Sequence, residues 1–120
     1  MIRILYVHPN HSAYANNSLL QAISGFLRPF GQVRESILNN AGSFARIDLL
    51  VVETTIDDVL PAFMAGRAYE AKIPVVQLYD RPGYSVHPNL IPDAAHVAYS
   101  NAADLHNQLE GFFQHFPDAT

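Results

Sequence analysis

The sequence contains no cysteine, so neither disulfides nor thiolate chemistry enters any account of it. Basic residues are scarce too: seven Lys and Arg are strung singly from Arg3 to Arg81, and the formal net charge is −4. Gripping a nucleic acid polymer takes clustered cations that displace the counterions of its backbone, so no such partner is expected. Long apolar runs are also missing. The N-terminal run, Ile2 to Val7, is far too short for a membrane span or the core of a signal peptide. No membrane partner is expected, and the cytoplasm is the expected location. Neither G-x-G-x-x-G nor G-x-x-x-x-G-K-[ST] occurs, so the dinucleotide and P-loop signatures are absent. No repeat, linker or low-complexity tract interrupts the chain.

What is present is apolar and ordered in pattern. Of 120 residues, 49% are hydrophobic and only 15% charged, which fits one globular domain over residues 1–120 and not a disordered chain. The strongest organisation lies between Ile47 and Asp80. Ile47–Val52 is apolar except for Asp48 and has the length of a strand covered on both faces. A polar turn, Glu53–Asp58, precedes a segment of helical periodicity, and a second apolar run spans Ile73–Tyr79. Strand, helix and strand in this order form a βαβ unit with a right-handed connection. Ligands of such units sit beyond the carboxyl ends of the strands, which directs attention to Glu53–Asp58 and Asp80–Gly83.

The flanking segments extend the pattern. Arg3–Val7 reads as a central strand closed by Pro9, and a helix follows with Leu20, Ile23, Leu27 and Phe30 in one stripe, stopped by Pro29 and Gly31. Gln32–Ile37 is more polar, as an edge strand would be, and Asn39–Arg46 is a connection. Asp80–Asn89 is rich in turn formers and reads as a covering or functional loop. Ala95–Tyr99 is a fifth strand, and Ser100 is the expected cap of a closing helix carrying Leu105, Leu109, Phe112, Phe113 and Phe116. The predicted class is α/β: a three-layer, Rossmann-like or flavodoxin-like, doubly wound parallel five-stranded sheet of order 2-1-3-4-5. Gly66 falls inside a helix, where close packing against a strand or ligand would account for it.

The chemistry-bearing residues cluster at the predicted carboxyl ends. In the loop after the first strand, His8, Asn10, Ser12 and Asn17 offer polar groups for a phosphate, or simply caps for the helix that follows. Glu53 ends a buried strand, where a carboxylate is costly unless hydrogen-bonded or functional. Thr54 and Thr55 add hydroxyls beside it, Asp57 and Asp58 suit a helix cap, and Asp80 and Arg81 open the loop after the fourth strand. Six histidines are present. Their only close pair, His8 and His11, has no neighbouring carboxylate or thiolate, so no metal is expected. No cofactor is expected either.

Several stretches together resemble the nucleoside 2-deoxyribosyltransferase family, most closely its branch of 2′-deoxynucleoside 5′-phosphate N-hydrolases. They are Asp48–Thr55 (DLLVVETT), Gly66–Ala68 (GRA), Lys72–Asp80 (KIPVVQLYD), Tyr6, Phe30–Val33 (FGQV) and Val97–Phe113 (VAYSNAADLHNQLEGFF). The resemblance implies a nucleoside or nucleotide ligand and a glutamate acting at the anomeric carbon. Met64 occupies that glutamate's position and Asn40 that of a supporting aspartate, so the implied protein is a catalytically degenerate member. It would bind its ligand, with Met64 lining the site, or serve as an interaction module. The alternative is an active N-glycosidase using Glu53 and Tyr6. Leu5–Ile23 also resembles the opening of flavodoxin-like quinone reductases, which implies flavin binding by the first loop. A homodimer is expected from the first resemblance and from the aromatic surplus of Phe112, Phe113 and Phe116.

Overall fold

Five consecutive buried side chains, from Leu49 to Glu53, can be held only by a strand whose two faces are both covered. The structure is a computed structural model and describes residues 2–8, 18–36, 47–54, 59–80 and 95–116. Its elements are β1 (Ile2–Val7), α1 (Ser18–Leu27), one 3-10 turn (Arg28–Phe30), β2 (Gly31–Ser36), β3 (Leu49–Glu53), α2 (Val59–Glu70), β4 (Val75–Asp80), β5 (Ala95–Tyr99) and α3 (Ala102–His115). All five strands are parallel and lie in the order β2-β1-β3-β4-β5. This is the flavodoxin-like sheet that the sequence predicts. β3 sits at its centre, pairing Leu49–Val52 with Ile4–Val7 on one side and Leu50–Glu53 with Val75–Leu78 on the other. Asp48, the polar exception in the apolar run, fastens the start of this pairing. Its carboxylate accepts the Arg3 N–H at 2.8 Å, and its own N–H donates to the Arg3 carbonyl at 2.9 Å.

Strand alternation sorts the apolar side chains into two layers. Ile4, Tyr6, Leu49, Val51, Val76, Leu78, Val97 and Tyr99 face α1, through Ile23 and Leu27, and α3, through Leu105 and Leu109. Leu5, Val7, Leu50, Val52 and Val75 face α2, through Met64, Ala65 and Ala68. β2 has an exposed Gln32 and Arg34 and a half-buried Val33, the profile of an edge strand. Phe112, Phe113 and Phe116 are half-buried, and Phe30 stacks on Phe113 with ring centroids 4.3 Å apart. No helix among the described residues is long and apolar enough to cross a membrane.

Local chemistry sets the helix ends. α1 gives way to the 3-10 turn where Pro29 lacks an N–H. The cap of α3 is Asn101, one residue beyond the expected Ser100: its side-chain oxygen accepts the Asp104 N–H at 2.8 Å, while Asp104 accepts the Ser100 N–H at 2.9 Å. The pair satisfies the Asp104 N–H, one of the donors that a helix start leaves open, together with the N–H of the residue before the cap. α2 closes in a Schellman arrangement, with Ile73 N–H to the Ala68 carbonyl at 2.9 Å and Lys72 N–H to the Tyr69 carbonyl at 3.1 Å. Lys72 takes φ 61° to do so, in the region that favours glycine. Gly66 departs from expectation: it is exposed, and no described residue lies within 4 Å of where a Cβ would stand.

Gly31 has the opposite character. A Cβ there would stand 2.5 Å from the Ile2 carbonyl oxygen and 2.8 Å from Ile2 Cγ1, so only glycine lets β2 start against β1. Gly31→Ala is expected to lower stability by about 1–3 kcal/mol through overpacking. Lys72→Gly is expected to raise stability by roughly 1 kcal/mol by relieving the left-handed backbone. Urea unfolding of the two variants checks both signs.

Candidate functional site

In a 2-1-3-4-5 sheet the chain reverses its winding between β1 and β3, and the crevice lies beyond the carboxyl ends of those strands. The described residues there are Tyr6 and His8 on β1 and just after it, Glu53 and Thr54 at the end of β3, Tyr79 on β4 and Tyr99 ending β5. Glu53 and Tyr99 are each 0% exposed. Alternation places Glu53 on the same face as Leu49 and Val51, and Tyr99 on the same face as Val97, so both point to the α1 and α3 side. The Tyr99 hydroxyl donates to Glu53 Oε2 at 2.9 Å. β4 lies between their two strands, so the bond passes over its buried Leu78, which pairs with Glu53 on one side and Val97 on the other. A carboxylate at this depth needs such a donor, and a buried tyrosine needs such an acceptor.

The other face carries a second polar set. Thr54 donates its N–H at 2.8 Å and its hydroxyl at 3.0 Å to the Leu78 carbonyl, and the buried Gln77 donates from Nε2 to the Thr54 hydroxyl oxygen at 3.2 Å. Thr54 thus extends the β3–β4 ladder one residue past the strand. Tyr6 is fully buried, with its ring centroid 5.5 Å from that of the buried His8. Met64 is 0% exposed within the layer beneath α2, on the opposite side of the sheet from Glu53. Asp80 ends β4. Asn10, Ser12, Asn17, Asn40, Thr55 and Arg81 lie outside the described residues. The carboxyl end therefore brings Glu53 together with Tyr99, brings Thr54 together with Gln77, and separates Met64 from Glu53. No group of three His, Asp or Glu side chains that could hold a metal ion occurs among the described residues. A groove lined by Pro29, Phe30, His106, Glu110, Phe113 and Gln114 lies at the other end of the sheet, where β2 begins and α3 ends.

Tyr99 and Gln77 are not among the candidate residues that the sequence suggests. A tyrosine alternating with Val97 in a buried strand must find a partner for its hydroxyl, which is a usable signal. The identity of that partner, 46 residues away, is not in the local pattern.

No protein-family model and no curated protein matches the chain. Its fold is similar to that of a response regulator receiver domain protein from Clostridium thermocellum, with a TM-score of 0.62, 14% identity and 100% of both chains covered. It is also similar to a CheY-like receiver domain protein from Methanospirillum hungatei, with a TM-score of 0.59, 14% identity and 100% coverage of both. A pilus assembly-related protein from Burkholderia pseudomallei, described as putative, gives a TM-score of 0.54 at 12% identity, with 95% of this chain and 90% of that one covered. At such identities the likeness is one of fold.

These findings overturn the resemblance to nucleoside 2-deoxyribosyltransferases and the functions drawn from it. The two solved structures above that match over the full length are receiver domains, and no family model supports the enzyme family. Neither the degenerate nucleotide-binding member, nor the N-glycosidase, nor the flavin-binding protein is supported. The physical reason is plain in the sheet. DLLVVE and IPVVQL are buried parallel strands on either side of a shared ladder, and any doubly wound domain selects such strings.

Tyr99→Phe is expected to destabilise the fold by about 1–3 kcal/mol, since it leaves a buried carboxylate short of a donor. Glu53→Gln, which keeps an acceptor, should cost less. A double-mutant cycle in urea would show coupling between positions 53 and 99, and additive losses would rule out the bond as a stabilising element.

Proposed function

We propose that this chain is a receiver-type regulatory domain that acts through contact with other proteins, and that Glu53 serves as a latch within it and not as a reacting group. The full-length likeness to response regulator receiver domains supports the regulatory half of this reading. The observation that carries the second half is the buried bond from Tyr99 to Glu53. A carboxylate that accepts a glycosyl or phosphoryl group must present an oxygen to the incoming centre at near-attack distance. Glu53 has no exposed surface, and one of its oxygens already holds the phenol. The same bond ties the ends of β3 and β5 together across β4, so it fixes the carboxyl-end surface that a binding partner would meet.

The test has two arms. Incubation with acetyl phosphate and Mg²⁺ should leave the intact mass unchanged, and a phosphoryl adduct that disappears in Glu53→Gln would overturn the latch. Cross-linking in the native cell followed by mass spectrometry should recover a defined second protein joined to this chain. Recovery of no heterologous contact would overturn the regulatory reading.

A further inference from the structure

Gly66 weakens α2 for no reason visible inside the described fold. A glycine within a helix is less stable than alanine, yet this one is exposed with open space around it. Gly66, Arg67 and Glu70 stand three, four and seven residues beyond Phe63 and so share its face; all four are exposed, and they lie opposite the buried Met64, Ala65 and Ala68. Phe63 is 51% exposed, a large apolar ring turned outward from the middle of the helix. The Arg67 guanidinium carbon stands 5.8 Å from the centroid of that ring. In order along one face, α2 thus offers a ring, a gap, a cation and an anion.

We infer that this face pairs with a second copy of the chain, α2 against α2, antiparallel about a two-fold axis near Gly66 and Arg67. Around such an axis, positions equidistant from it meet. Phe63 faces the second copy's Glu70, and Arg67 faces the second copy's Gly66, whose missing side chain lets the two helices approach closely. Side chains on a helix lean toward its N-terminus, and Arg67 does so by lying over Phe63. Its guanidinium is thereby delivered beside the second copy's Glu70, and symmetry makes that pair twice. The chain's net charge of −4 opposes association elsewhere on the surface, whereas this face presents opposite charges in self-complementary order.

Sedimentation velocity over a concentration series of the full chain tests the pairing. The expected result is a reversible dimer that either Arg67→Glu or Glu70→Arg weakens by roughly tenfold or more in Kd. The combined charge swap should restore it. Gly66→Ala should raise the melting temperature at dilutions where the chain is monomeric and still weaken the dimer, a combination that a purely intramolecular role for the glycine would not give. A chain that stays monomeric at its highest soluble concentration would overturn the inference, as would a dimer indifferent to both charge reversals. Neither outcome bears on acceptance of a phosphoryl group at Glu53, so the two readings fail separately.

Discussion

The constraint on which this structure depends is the double burial of β3. A parallel strand cannot be reached by a hairpin from its neighbour, so each neighbour arrives through a crossover, and the crossovers deposit helices on both faces. Once Leu49–Val52 is buried on both sides, α2 must cover one layer and α1 with α3 the other. The two apolar layers that result share one hydrogen-bonded ladder, so a change in strand register would move every side chain to the wrong layer.

That burial makes the end of β3 a demanding place for a carboxylate. Glu53 continues the alternation of Leu49 and Val51 into the layer beneath α1 and α3, where water does not reach it. The Tyr99 hydroxyl meets the need from two strands away. Thr54 and Gln77 settle a similar need on the opposite face, using the Leu78 carbonyl. Among the described residues, Glu53 with Tyr99 and Thr54 with Gln77 are thus engaged across the strands.

The outward face of α2 follows a different logic. Its inward residues Met64, Ala65 and Ala68 are small or flexible enough to lie close over the sheet. Its outward residues break the usual polar pattern of a solvated helix, with Phe63 and Gly66 where charged side chains or alanine would serve a monomer better. The carboxyl end and this helix face are separate surfaces.

Periodicity made the fold class and the five strands legible, because the apolar runs at Ile47–Val52 and Ile73–Tyr79 can be buried in few other ways, and the rules of doubly wound sheets supplied the order. It placed the edge strand at β2 through the polarity of Gln32 and Arg34, and it marked Glu53 as a carboxylate in an unusual position. It misassigned the cap of α3 by one residue, since Ser100 and Asn101 are both good caps and only the Asp104 N–H chooses between them. Resemblance of short motifs misled on function: strings such as DLLVVE record what a buried parallel strand requires and carry no chemistry of their own. The partnership of Glu53 with Tyr99 and the placement of Met64 on the far side of the sheet were decided by tertiary structure. Those facts depend on which face each strand turns to which neighbour, a property of the assembled sheet that no local stretch of residues contains.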